Sequence, residues 1–393
     1  MSDRSHAFDG WIRGEFTELN TSLEELYFTQ QDRANVDGIG MDLKQQLLEQ
    51  GQRHILGLLQ EGNTDEGFDR GFDLLGNVGL YMAACERHGI TSASRDARSS
   101  LQEASALAMQ LGASLGVTPR FATSHLATHN RAVTGRCKSF TRLEAERIFN
   151  DYNTLAIFAY KRAADALLRT LPLGVTHRVT CDLLKAAGDA LRDVTAYNAT
   201  LFETLDIERF FYNVRPYFKS HRVGQHLYRG ANAGDFAGIN VIDLLLGLCR
   251  ADHAYYSQLL VDKFLYMLPE DQATLRDCMR RRSLMDEFLA LDPATHQQPW
   301  YRDNLAAFLE VCGLHGQAAA QHHDQLVGRF ITQPAGELAD RHLANLTASG
   351  PPLPVLLKAL ETLRDLRMAA KHPDIPSRHD DLQKLRRSLH LDR

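Results

Sequence analysis

The stretch LAAFLEVCGLHGQAAAQHHDQLVGRF, residues 305–330, decides how the rest of the chain is read. Leu305, Leu309, Cys312, Gly316, Ala319, His323, Leu326 and Phe330 fall at alternating steps of four and three, which puts them on one face of a helix. That helix is expected from about Asp303 to Ile331, with Pro334 ending it. His323 then points into the interior. Gly316 and Ala319 are small for a core stripe, and small residues one and two turns before an imidazole leave a flat void beside it. A haem would fill such a void, and histidine is a common axial ligand to haem iron. The same pattern also suits a hydrogen-bonded core histidine. His322 and His315 sit on neighbouring faces as substitutes, in a chain with 17 histidines.

Helical periodicity continues in both directions, and alternating β-branched runs are nearly absent, so an all-α fold is expected. Apolar residues repeat at three and four from Leu43 to Gln60, Phe68 to Cys85 and Leu101 to Leu111, each followed by a glycine. Residues 1–118 read as an N-terminal helical region. From Thr118-Pro119 to Thr141 the period is lost, and this stretch reads as a loop, a common place for function. Helices resume over Leu143–Leu171, Val179–Leu205 and Asp206–Phe218. RVGQHLYRGANAGDFAG, residues 222–238, holds four glycines and suits backbone passing close to a ligand. Further helices are expected over Ile239–Cys249 and Tyr255–Met267, where Leu268-Pro269 stops the second. Residues 119–348 form the expected central domain. Ser349-Gly350-Pro351-Pro352 separates it from 349–393, a last helix (Val355–Ala370) and a charged tail.

Composition narrows the function classes. With 393 residues, 44% of them hydrophobic, the chain can bury a large core, and its formal net charge of -5 gives no basic excess for neutralising phosphates. A nucleic acid partner is not expected. No apolar run reaches the ~18 residues of a membrane span, and MSDRSHAFDGW is polar, so a cytoplasmic protein without membrane association is expected. Six scattered cysteines without a CxxC pair argue against zinc, an iron–sulfur cluster and covalent c-type haem. There is likewise no Gly-rich phosphate loop and no HExxH pair.

Four blocks carry a resemblance. His322-His323-Asp324-Gln325-Leu326-Val327-Gly328-Arg329-Phe330-Ile331 resembles the proximal-ligand helix of the indoleamine 2,3-dioxygenases, an aromatic-His followed by x-Gln-Ile-Val-x-Lys-Tyr-Ile. Phe210-Phe211-Tyr212-Asn213-Val214-Arg215 resembles that family's Phe-Phe-x-x-Leu-Arg. Ala231-Asn232-Ala233-Gly234, then Asp243-Leu244-Leu245-Leu246-Gly247, resembles its Gly-Ser-Ala-Gly and Phe-Asp-Val-Leu-Leu-Gly. Tyr266-Met267-Leu268-Pro269 resembles its Tyr-Met-Pro-Pro. The blocks keep the family's order over roughly residues 205–335. Ser139-Phe140-Thr141 and RPYFKSHRVG also look like the pyrrolnitrin-pathway branch of this indoleamine/tryptophan 2,3-dioxygenase superfamily, the branch containing monodechloroaminopyrrolnitrin synthase.

The resemblance implies an indoleamine 2,3-dioxygenase-like helical bundle with a haem pocket, holding haem b and using O2 as co-substrate. By matched position His323 would be the iron ligand, Arg215 would hold a substrate carboxylate, and Phe210 and Phe211 would pack on the substrate ring, although on a helix they cannot face the same way. Ala233 and Gly234 would lie over the distal face, Ser139 in the adjoining loop, and Asn232 at the haem edge with Gly316 and Ala319 flanking the ligand. Arg215 could instead pair with Asp206 or Glu208. The family pairs the aspartate matching Asp243 with an arginine three residues before the ligand; here that position is Ala320, so Asp243 needs another partner, such as Arg329 or a haem-edge group. His125 and His129 are candidates for a distal histidine. The expected reaction is insertion of O2 into the indole ring of tryptophan or a related small aromatic. The alternatives are a haem-dependent monooxygenase or indole-rearranging enzyme of secondary metabolism, and a non-catalytic haem or gas-binding protein. A homo-oligomer is left open.

Overall fold

The computed structural model describes residues 2–62, 67–91, 101–325, 328 and 353–390. The expected all-α class holds: fifteen helices account for most of these residues, beside one two-stranded antiparallel ribbon and a few single helical turns. The described residues group into two compact units built from discontinuous segments. The first gathers those of Met1–Asp151 and Thr204–Asp235, and the second those of Tyr152–Glu203, Phe236–Gly328 and Pro354–Arg393. Among the described residues no helix is long and apolar enough to cross a membrane. All six cysteines are unbridged, and only Cys137 is exposed.

The first unit is built on α1 (Asp3–Arg13), α2 (Glu15–Phe28), α3 (Met41–Glu61), α4 (Phe68–Arg87) and α5 (Gln102–Leu115). Ser2 caps α1, its Oγ accepting from the Ser5 N–H at 3.1 Å. Phe8, Ile12, Phe16, Leu23, Leu47, Leu75 and Val78 meet in its core, fully buried. A second set of contacts ties the segment after residue 204 to this bundle. Arg87 grips Glu24 through two 2.8 Å hydrogen bonds, both side chains buried. The same Glu24 accepts from Asn213 Nδ2 at 2.9 Å, while Arg87 also donates to the Tyr212 carbonyl. Every charge in this knot is matched, which buried charges require.

That knot lies where the expected helix Asp206–Phe218 fails to form as one piece. After the short α8 (Ile207–Arg209), capped by Asp206, the backbone widens into a π turn over Phe210–Val214. It then tightens into a 3-10 turn over Arg215–Phe218. Pro216 explains the break, because it has no N–H to give to an α-helical carbonyl. The ribbon β1 (His221–Val223) and β2 (His226–Tyr228) follows, with His221 opposite Tyr228. Gly230 must be glycine: a Cβ there would fall 1.8 Å from the Phe218 carbonyl oxygen.

The second unit holds the greater part of α6 (Glu144–Leu168) and nearly all of α7 (Val179–Thr204), followed by α9 (Ala237–Leu246), α10 (Ala254–Phe264), α11 (Pro269–Met279), α12 (Leu284–Leu289) and α13 (Pro299–Gln321). It ends with α14 (Leu353–Arg367) and α15 (His379–His390). Leu184, Leu191, Ile242, Leu245, Tyr256, Met285, Phe288, Leu305, Phe308 and Val311 make one contiguous core. Two expectations need correction. The charged tail is in part a helix, α15, whose Leu382 and Leu385 are buried. Regular α13 stops at Gln321 rather than near Ile331, and His322–Gln325 form a π turn. Leu326 and Phe330 of the expected stripe, the helix end at Ile331–Pro334 and the 349–352 separator lie outside the described residues.

Candidate functional site

In the second unit the deepest polar cluster is centred on Asp243 of α9, whose side chain is 0% exposed. Arg367, at the end of α14, donates Nε–H to Oδ1 at 2.8 Å and Nη2–H to Oδ2 at 2.7 Å. His315 Nε2 lies 2.7 Å from Oδ1, and Tyr256 donates its hydroxyl to Oδ2 at 2.8 Å. Burial alone would raise the Asp243 pKa, but Arg367 and His315 outweigh it and hold the carboxyl well below its usual range. The partner missing at Ala320 is therefore supplied by Arg367, 124 residues along the chain from Asp243. Arg329, the partner considered from sequence, lies outside the described residues.

Along α13 the side chains turn outward toward its end. Leu305 is fully buried and Cys312 is 4% exposed, whereas the His323 side chain is 21% exposed. His323 Nδ1 lies 3.2 Å from Asp324 Oδ1 and 3.3 Å from Arg364 Nη1, and its Nε2 has no partner among the described residues. The void expected beside Gly316 is filled. A Cβ at Gly316 would meet the Arg367 carbonyl oxygen and Met368 Cα, each at 3.1 Å, so this glycine admits the end of α14 rather than a flat ligand. Ala319 is half-buried. His322 is exposed. The surrounding protein, then the charges of Arg367 and His323, push its pKa down to about 4.

In the first unit Arg215 is 5% exposed, and burial pushes its pKa down to about 10. Among the described residues no carboxylate pairs with it; its guanidinium lies 5.5 Å from the centre of the Phe211 ring. Both alternative partners are engaged elsewhere, Asp206 capping Arg209 N–H at 2.9 Å and Glu208 pairing with Arg33 at 2.8 Å. Phe211 is fully enclosed, and Phe210, 5% exposed, packs 4.9 Å from the Phe149 ring. Both are core side chains here.

The loop carrying Asn232, Ala233 and Gly234 is shaped by Asp235, which no sequence motif singles out. Its carboxylate accepts from Arg120, from Arg229 at 2.7 Å and from the Asn232 N–H at 3.0 Å. The Asn232 side chain accepts from Gly234 N–H at 2.8 Å, while the residue itself is exposed. Ser139 Oγ donates to the Thr141 carbonyl at 2.7 Å, and the next turn is fixed by Glu146, which accepts from Phe140 N–H and Thr141 N–H. His125 is structural rather than distal. Its Nδ1 accepts from Ala122 N–H and its Nε2–H meets the Phe72 carbonyl, both at 2.8 Å, with the ring stacked on Phe72. Burial pushes its pKa down to about 3, so it stays neutral. His129 is half-buried, beside Thr128 Oγ1.

The sequence matches the family described as Monodechloroaminopyrrolnitrin synthase PrnB over residues 2–389. The chain belongs to that family. The monodechloroaminopyrrolnitrin synthase family comprises oxidative enzymes of secondary metabolism, haem-dependent oxygenases acting on an indole-type small molecule, and membership makes this chain an oxidoreductase of that kind. The match spans the N-terminal helices and α14, which lay outside the 205–335 resemblance. No curated protein matches the chain.

Proposed function

We propose that this protein binds haem b through His323 and inserts O2 into the ring of an indole that carries a carboxylate, tryptophan or a close derivative, in the manner of a 2,3-dioxygenase. The observation that carries the substrate side is Arg215. A guanidinium buried without a counter-charge costs several kcal/mol, and an entering carboxylate, which matches its planar fork, removes that cost. On the cofactor side the support comes from His323 itself and not from Gly316, whose flank is taken by the end of α14. A neutral imidazole whose Nδ1–H is given to a carboxylate keeps its lone pair on Nε2, the arrangement of a metal-binding histidine with its outer partner. When bound, the haem supplies the oxygen chemistry. The chain's own work is to hold the imidazole, to anchor the carboxylate at Arg215 and to keep the Asn232–Asp235 loop in one shape. No strong general base is required, in keeping with His125 being locked in the first unit as a neutral structural ring.

A second reading, rearrangement or single-atom oxygenation of the indole, is favoured by the family the chain matches, whose name is that of a synthase. The haem- or gas-binding protein without turnover has no observation in its favour. The test is purification with haem supplementation, recording the Soret band of wild type, His323→Ala and His322→Ala, then titrating tryptophan. Loss of the band in His323→Ala alone is expected. Its loss in His322→Ala alone moves the ligand to that residue, and a wild type that takes up no haem overturns the reading. A formylkynurenine-type product selects dioxygenation, and a perturbed haem spectrum without it selects the second reading.

A further inference from the structure

We infer that Asp324 and Arg364 are positioning residues that set the tautomer and donor strength of the His323 imidazole. The inference rests on the reading of His323 as haem ligand. Both neighbours reach the same ring atom: Asp324 Oδ1 is 3.2 Å from Nδ1 and Arg364 Nη1 is 3.3 Å from it, while the two neighbours lie 3.9 Å from each other. In a neutral imidazole Nδ1 either donates or accepts, never both. Donation to Asp324 leaves the lone pair on Nε2, free for a metal. Acceptance from Arg364, which can only donate, puts the proton on Nε2 and closes it to a metal. Each tautomer thus has one neighbour supporting it, and ligation selects the Asp324 form.

The arrangement is held from α14. Arg364 is fixed by carboxylates of its own helix, Nε to Asp365 at 2.8 Å and Nη2 to Glu361 at 3.4 Å, which leaves Nη1 directed at His323 and Asp324. With the ring ligated, the Asp324 carboxylate lends the imidazole anionic character, strengthens it as a donor and favours ferric iron. The Arg364 cation acts in the opposite sense by drawing on the Asp324 charge. Asp324 is 66% exposed, so water screens the pair and the effects are graded rather than all-or-none.

Opposite signs give the test. In the haem-loaded full chain, Asp324→Asn is expected to lower the ferrous iron–histidine stretching frequency, raise the reduction potential and weaken haem binding about 10–100-fold. Arg364→Gln is expected to raise the frequency and lower the potential, and Asp324→Glu to restore wild-type values. Unchanged frequency and potential in both variants overturn the inference, as does loss of haem in both without a shift in either quantity, which would mark a purely structural role. Retention of the band in His323→Ala is a separate result: it removes the ligand assignment itself.

Discussion

Two guanidiniums, the largely enclosed Arg367 in the second unit and the buried Arg215 in the first, are held in opposite ways. Arg367 delivers both arms of its fork to Asp243, and burial, which would lower its pKa, is outweighed by that carboxylate so that the pKa rises. Arg215 lies over the Phe211 ring and pairs with no carboxylate among the described residues, and its pKa falls to about 10. Cancelling a charge within the fold makes a structural element. Leaving one uncancelled is the basis on which we propose Arg215 as the receptor for a carboxylate from outside. A buried arginine is informative about function in proportion to what it lacks.

The contrast predicts opposite responses to removing each charge. Arg367→Met strands Asp243 and should cost about 3–5 kcal/mol of stability, read as a lowered denaturant midpoint. A cost near zero would mean that His315 and Tyr256 suffice. Arg215→Gln should instead leave stability unchanged or raise it, because relief of an unpaired buried charge outweighs the loss of its ring contact, worth about 1 kcal/mol. It should weaken binding of a carboxylate-bearing indole by about 1.5–3 kcal/mol, or about 10–150-fold. The decisive control is the amide of the same ligand, which should bind wild type as weakly as the acid binds the variant; equal losses for acid and amide would remove Arg215 from the site.

Acid should reveal the paired site gradually. The folded Asp243 pKa lies below the ordinary 3.8, so its contribution is complete above that value and is lost as pH falls toward the folded one. His125, held neutral with a pKa of about 3 against an ordinary 6.5, adds a loss that begins earlier, as pH falls below 6.5. Acid unfolding curves of wild type and Asp243→Asn should therefore converge below pH ~4 while His125→Gln flattens the region above it. The smallest effect belongs to Gly316→Ala. Alanine favours the helix by about 1 kcal/mol, but its Cβ presses on Arg367 and Met368, so a net loss of up to about 2 kcal/mol is expected. A stabilised variant would show that space exists there after all.

The fold is legible in the sequence where local rules act alone. The periods ending near Gln60 and Cys85 become α3 and α4 within a few residues, because apolar spacing and terminal glycines are properties of single segments. The fold is hidden from the sequence where one segment answers to another. Gly316 and Ala319 read as a void because the end of α14 that fills the space at Gly316 lies some fifty positions downstream. Arg367 could not be matched to Asp243, since nothing in either segment announces the pairing. Asp206–Phe218 read as one helix because periodicity outvoted Pro216. The dense charges after residue 376 concealed the spacing of Leu382 and Leu385. At the site, the residue types were legible in the motifs. That Arg215 pairs with no carboxylate among the described residues could be learned only from packing.

The late position of Arg367 also bears on synthesis. At about 5–20 residues per second, some 6–25 s pass between addition of Asp243 and of Arg367, a gap of 124 residues. Through that interval a nascent α9 must carry a carboxylate that its guanidinium has not yet reached. A ribosome stalled before residue 367 should therefore release a chain whose second half stays sensitive to protease.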